Sequence, residues 1–166
     1  MIYILDAYNV IHKIPRLEVM LNKDLRSSRD ALVELCSKLA AARGDISKMI
    51  LVFDGKSEFQ DLPQIAPPKI QLIFSETGED ADERIVAVLD QLSKETNKCV
   101  VSDDNFVRNH ARAYETRILS VSEFEQLIDR KNKTRISQTT PSGIDILSPK
   151  DASEITEAYK KALGLD

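Results

Sequence analysis

The 166-residue chain has no tryptophan, only two cysteines, two histidines and five glycines, and aromatics make up just 5% of it. Each scarcity closes off a class. Cys36 and Cys99 stand alone, with no CxxC pair, so neither a zinc ribbon nor a disulfide framework can be built. Five glycines leave no GxGxxG phosphate loop and no collagen repeat. No apolar run approaches the ~18 residues of a membrane span. The opening Met1-Ile-Tyr-Ile-Leu-Asp6 lacks the basic segment and apolar block of a signal peptide. A reduced, cytoplasmic setting without membrane contact is the expectation.

What is present is a globular mixture, 42% apolar and 30% charged, with a net charge of −4. The charge is uneven: residues 1–48 carry +2, residues 49–104 carry −7 and residues 105–166 carry +1. Bulk polyanion binding needs many phosphate contacts and is not expected of such a chain. An acidic block is often only a solvated face. Here its position relative to the strands suggests otherwise.

Ile2–Leu5, Met49–Phe53, Ile70–Phe74, Cys99–Val101 and Arg117–Leu119 are short runs rich in β-formers, as expected of buried parallel strands. Helical spacing fills the intervals: Ser28–Arg43 before Gly44, Ala81–Asn97, and a short helix to about Arg130 opened by the box Ser122-Glu-Phe-Glu125. Alternating strands and helices predict an α/β fold, a parallel sheet of about five strands with helices on both faces. A domain over residues 1–130 is followed by a linker or small hairpin at 131–148. A last helix over about 149–163 starts at Ser148-Pro149.

Three of these runs end in aspartate, Asp6 and Asp54 directly and Asp103 after Ser102. In an open α/β sheet, ligands bind outside the carboxyl ends of the strands. Parallel strands place those ends on one edge, so the three acids can converge, with Asp82 joining from the start of a crossover helix. Each alone could be a capping aspartate. Together, clustered carboxylates repel and call for a cation or for protonation. Oxygen-only donors favour Mg²⁺ or Mn²⁺ and disfavour zinc. Asn9, three residues past Asp6, could orient a water or phosphate oxygen without adding charge, or simply hold its loop as an Asx-turn.

These residues also carry a resemblance. Ile4-Leu-Asp-Ala-Tyr-Asn-Val-Ile11 resembles the opening motif of the YacP-like branch of NYN domains. Val52-Phe-Asp-Gly55, Asp80-Ala-Asp-Glu-Arg-Ile85 and Val101-Ser-Asp-Asp104 match later motifs of that family in order and spacing. The likeness covers about residues 1–130. It implies a Rossmann-like, PIN-like fold and a metal-dependent endoribonuclease that leaves 5′-phosphate and 3′-hydroxyl ends. It also implies that Asp6 and Asp103 bind metal, Asp82 completes the shell, Asp54 supports the metal or its water, and Asn9 lies beside the scissile phosphate. Asp80 departs from the pattern, standing where the family often has a neutral residue. The register is read at Asp82 because Asp-Glu-Arg-Ile follows the family motif. Asp104 and Glu83 are read as outer members.

Lys13, Arg16, Lys23, Arg26 and Arg29 fall in a segment read as a loop overhanging the site. Of these, Lys13 and Arg16, with Arg84 and Arg108 beside proposed ligands, are the candidate RNA contacts. The plain alternative is solvated charge balancing nearby acids. Tyr8 either faces the cleft or simply packs. With so few aromatics no stacking platform for single strands is evident. A net-acidic nuclease of this kind is expected to act on RNA presented by a scaffold, with mRNA on the ribosome as the expected case.

Other classes fit less well. A receiver domain needs a second acid beside strand one and a Lys after strand five, and Arg117-Ile-Leu-Ser120 offers no such Lys. A haloacid-dehalogenase-type phosphatase needs Asp-x-Asp, but Tyr8 holds the second position. A non-catalytic RNA- or ribosome-binding module on the same fold is the remaining alternative, and it should tolerate Asn at Asp6 or Asp103.

Overall fold

The computed structural model describes residues 1–55, 66–76 and 79–138, with 131–138 described by their helical backbone alone. Five strands form one sheet: β1 (Ile2–Asp6), β2 (Lys48–Phe53), β3 (Ile70–Phe74), β4 (Lys98–Val101) and β5 (Arg117–Leu119). Their order is β3-β2-β1-β4-β5 and every pairing is parallel. Asp6 lies opposite Val52 and Leu5 opposite Val101, so β1, β2 and β4 end at the same level. That register brings their following residues to one edge.

Helices cover both faces: α1 (Ala7–Lys13), α2 (Pro15–Leu21), α3 (Leu25–Ala42), α4 (Ala81–Gln91), α5 (Asn105–Ala113) and α6 (Val121–Gln138). The continuous apolar strands split by their period of two. Tyr3, Leu5, Met49, Leu51, Phe53, Cys99 and Val101 enter one core with α1, α2, α3 and α6. Ile4, Ile50, Val52 and Val100 enter a second core with α4 and α5.

Several boundaries differ from the sequence reading. The segment after α1 is not an overhanging loop. Pro15 at the first helical position starts α2, and Asp24 caps α3 by accepting from the Ser27 N–H at 2.7 Å. This cap starts α3 three residues before Ser28. At its other end α3 leaves through an extended Arg43, not through a cap at Gly44. α4 stops at Gln91 instead of continuing to Asn97. α6 opens on Ser120, whose N–H donates to Glu123 Oε2 at 2.7 Å while the Glu123 N–H donates back to Ser120 Oγ at 3.1 Å. The box therefore lies two residues before Ser122–Glu125, a placement that buries Val121 and Phe124. α6 passes Arg130 and reaches Gln138, so the start of the stretch read as a linker is helical. One compact unit spans Met1–Lys133. The second, Thr134–Asp166, is described only in the last turns of α6, and the expected hairpin and final helix lie outside the described residues.

Phe53 anchors the larger core. It is fully buried, stacked on Phe74 at 5.2 Å and met edge-on by Tyr8 at 5.7 Å. The Arg29 guanidinium lies 5.8 Å from its ring centre. Phe53→Ala is expected to destabilise the fold by about 3–5 kcal/mol, through lost transfer energy and a residual cavity. Val19→Ala, at a side chain 59% exposed, should stay within about 0.5 kcal/mol. Urea unfolding midpoints check the pair, and equal effects would contradict this account of the core.

Candidate functional site

The strand ends assemble an acidic rim. Asp6 closes β1 and caps α1: its Oδ1 accepts from the Asn9 N–H at 3.3 Å and its Oδ2 from Ser102 Oγ at 3.1 Å. Ser102 Oγ in turn accepts from the Asp104 N–H at 3.0 Å. Asn9 completes the stitch, its side-chain carbonyl accepting from the Asp103 N–H at 3.1 Å. The β1–α1 and β4–α5 turns are thus tied by side chains 94 and 96 positions apart.

Asp6 is only 6% exposed within this network, and burial is the main cause that raises its pKa from 3.8 to about 6. The charges of Asp82 and Asp104 push the same way, while the bonds from Asn9 and Ser102 oppose it. Asp82, on the first turn of α4, is also raised, first by burial and then by Asp104, Asp80 and Asp54. Five acids therefore share one electrostatic neighbourhood. Asp54 lies at its exposed margin, held by Ser75 Oγ at 3.1 Å.

Asp103 is on the same edge but turned away. Its Oδ2 receives Lys13 Nζ at 2.9 Å and its Oδ1 the Val121 N–H of α6 at 3.1 Å. Burial would raise its pKa, but these bonds and the charges of Lys13 and Arg108 outweigh that and hold it below the usual range. Strand alternation explains the divergence. Asp6 and Ser102 continue the parity of Ile4 and Val100 toward α4 and α5, whereas Asp103 continues that of Val101 toward α1 and α6. Asp104 faces Asp6 and Asp82 electrostatically, while its Oδ1 caps α5 through the N–H groups of Phe106 and Val107. Among the described residues, no three His, Cys, Asp or Glu side chains close into a ready metal cluster.

The basic candidates have separate settings. Lys13 is the counter-ion of Asp103, and Arg16 pairs with Asp129 at 2.9 Å, joining α2 to α6. Arg84 comes no closer than 4.0 Å to Glu79, and its buried Nε has no hydrogen-bond partner among the described residues. Arg108 is half-buried on α5 and acts on Asp103 through its charge. Arg29 is buried on α3, and its Nε and Nη2 both donate to the Tyr8 hydroxyl, so Tyr8 packs. One rim residue escaped the sequence reading: Phe106, on the first turn of α5, is 47% exposed and its ring lies 4.2 Å from that of His110. Its position two residues past an N-capping acid was the available signal.

A parallel β3-β2-β1-β4-β5 sheet with carboxylates along its carboxyl edge defines a doubly wound α/β protein whose acids lie where such folds place their ligand sites. The profile of the YacP-like NYN domain matches residues 3–162, and the chain belongs to that family. The family is PIN-like, so the coarse activity is that of a ribonuclease, a hydrolase with RNA as its substrate. The uncharacterized protein YacP of Bacillus subtilis (strain 168) is 22% identical over 168 residues, covering 96% of this chain and 95% of that one. The crystal structure of Rae1 (YacP) from Bacillus subtilis superposes with a TM-score of 0.65 at 23% identity, covering 99% and 91% of the two chains. A crystal structure of a point mutant of the same Bacillus subtilis protein also reaches 0.65, at 21% identity over 86% of each chain. These structures share the fold. Among the described residues, no helix is long and apolar enough to cross a membrane.

The buried acid has a thermodynamic signature. An acid whose folded-state pKa lies above its unfolded value favours folding while protonated, and that contribution is lost as pH rises through the folded value. For Asp6, the gap between 3.8 and about 6 corresponds to about 3 kcal/mol, at about 1.4 kcal/mol per pH unit. Asn at this position keeps an acceptor for the Asn9 N–H and removes the ionisation cost. Without added metal, Asp6→Asn should therefore melt above wild type at pH 7.5, by roughly 2–4 °C per kcal/mol recovered. The advantage should shrink toward pH 4. Thermal melts across pH check this, and a wild type more stable than the variant at pH 7.5 would contradict it.

Proposed function

We propose that the chain is a divalent-metal-dependent endoribonuclease that hydrolyses RNA phosphodiester bonds, acting on mRNA presented by the ribosome. The observation that carries this reading is the convergence of a buried Asp6 with Asp82 and its neighbouring acids on the carboxyl edge of a parallel sheet. A folded protein holds ionisable acids together at that energetic cost where a cation is to offset it. The donor set fits Mg²⁺ or Mn²⁺: all oxygen, with no His or Cys among its members. Mg²⁺ sites often use only one or two carboxylates and leave the other positions to water and phosphate, so a preformed closed cage is not required.

Asp6 and Asp82 would hold the metal, and Asp103, which faces Lys13 and the Val121 N–H in the metal-free protein, would join them by turning from Lys13. Bound there, a divalent ion lowers the pKa of water and neutralises charge on the scissile phosphate. The remaining roles belong to side chains. Asn9, its carbonyl committed to the Asp103 N–H, keeps its amide N–H groups as donors beside the rim. Asp54, fixed by Ser75, supports the open side. Arg84, partly exposed and only loosely matched to Glu79 at 4.0 Å, offers its guanidinium to a phosphate oxygen. Lys13, 48% exposed, can leave Asp103 for the RNA backbone at little cost, because exposed ion pairs contribute about 0–1 kcal/mol. Arg16 and Arg108 extend the basic margin, and Phe106 offers a face on which a base can stack.

Cleavage of a labelled mRNA, on ribosomes and free, should require Mn²⁺ or Mg²⁺ and be abolished by EDTA. Asp6→Asn and Asp103→Asn should each lower it at least about a hundredfold, since even outer partners of a metal site cost about 10–100-fold. Phe106→Ala should mainly raise KM, consistent with about 1–3 kcal/mol per stacked base. Equal rates on naked and ribosome-bound RNA would remove the ribosome from the proposal. Cleavage that survives both Asn substitutions and EDTA would remove the metal. RNA binding without cleavage would leave the binding module.

A further inference from the structure

A second polar concavity lies away from the acidic rim. It is a cavity of about 270 Å³ lined by Tyr3, Arg43, Arg117, Arg130, Leu119 and Leu127, with Gln126 and Glu123 at its margin. Tyr3 and Arg117 belong to the amino-terminal ends of β1 and β5, the end of the sheet opposite the acids. Tyr3 also faces the core of α3 and α6, while Asp6, three residues on, has the other parity. At about 3.3 Å per strand residue, roughly 10 Å of β1 and a change of face separate Tyr3 from Asp6.

The lining is chemically selective. Three guanidinium groups meet in a chain whose net charge is −4. Arg43 is held by a two-pronged pair to Asp45, with Nε and Nη2 at 2.8 and 2.5 Å, which fixes its plane and leaves Nη1 outside that pair. Arg117 has no ion-pair partner among the described residues. The one carboxylate of the lining, Glu123, is turned to the Ser120 N–H and hydroxyl at 2.7 and 2.9 Å. Tyr3 is only 3% exposed and contributes to the cavity wall. Burial, with Cys99 nearby, raises the pKa of that phenol, so it remains a donor at neutral pH.

The donors of Arg117 and Tyr3, on a wall that also carries two leucines, describe a site for an anion with an apolar body attached. We propose that this cavity binds a phosphate monoester of mononucleotide size, with Arg117, Arg43 and the Tyr3 hydroxyl on the phosphoryl group and Leu119 and Leu127 against the base or sugar. Forked guanidinium donors match phosphoryl oxygens in pairs. The volume falls just below the usual ~300–1,000 Å³ of small-molecule pockets and admits one nucleotide, not a strand. Such a group exists free as a nucleoside monophosphate and also at the 5′ end of an RNA fragment.

Isothermal titration of the full chain with adenosine 5′-monophosphate, adenosine, and a dinucleotide with and without its 5′-phosphate tests the site. Saturable binding of the two phosphorylated probes, with adenosine and the 5′-hydroxyl dinucleotide at least about tenfold weaker, is expected. Tighter binding of the monophosphate identifies a free nucleotide as ligand, and tighter binding of the phosphorylated dinucleotide identifies an RNA end. Tyr3→Phe, which keeps the ring in the core, and Arg117→Gln should each weaken binding about tenfold. Asp6→Asn should leave it unchanged, which separates this site from the acidic rim. Absence of saturable binding overturns the proposal, and so does binding equally strong in Tyr3→Phe and Arg117→Gln or lost in Asp6→Asn.

Discussion

The parallel register around β1 is the constraint from which the site follows. β1 is central, and its last residue is an aspartate held on one side by Asn9 and on the other by Ser102. Because β1, β2 and β4 end level, the same register that aligns the apolar runs also gathers the residues after them. Packing energy in the two cores thus holds the carboxylates together against their repulsion. The stabilising and opposing terms have different ranges. Core burial is spread over dozens of side chains, whereas the cost sits on Asp6 and Asp82. A fold can carry such a local cost because its stability is collective, and strained or repelling groups tend to mark functional sites.

Much of this was legible in the residue order. Strands buried on both faces read as unbroken apolar runs, so Ile2–Leu5 and Met49–Phe53 announced themselves, and an aspartate directly after such a run could only lie at the sheet's carboxyl edge. Helix limits were less readable, for local reasons. Ser120 and Ser122 each have a glutamate three positions on, so two overlapping boxes compete, and burial of Val121 and Phe124 decides between them. Asp24 offered an earlier cap than the apolar spacing of α3 suggested.

Side-chain direction was legible only in part. Counting strand parity past Val101 separates Asp103 from Asp6 and puts it toward α1, but the count depends on the turn staying extended. Proximity between distant segments was not legible at all. Arg29 meets Tyr8 across 21 positions, and Arg43, Arg117 and Tyr3 come together only through the sheet order. Nothing in a single chain records which helix end lies beside which strand start. The RNA contacts suffer most from this, because a cation is identified by its neighbour: Arg16 and Lys13 read alike in sequence, yet one braces two helices and the other faces the rim.

The distribution of charge on the two sides of the sheet then acquires a common logic. On the carboxyl edge, acids outnumber bases and the nearest cation, Lys13, is held by a half-exposed pair that exchanges easily. On the opposite end, arginines meet with the local carboxylates either paired, as Asp45 is, or turned into a helix cap, as Glu123 is. In both places the protein supplies charge of one sign and keeps its own neutralising groups occupied or weakly held. That pattern suits ligands of opposite sign at opposite ends of one sheet: a cation where strands finish and an anion where they begin. Strand polarity and side-chain parity separate Tyr3 from Asp6, so a substitution at Tyr3 or Arg117 can alter the basic cavity without passing through the bonds that position Asp6.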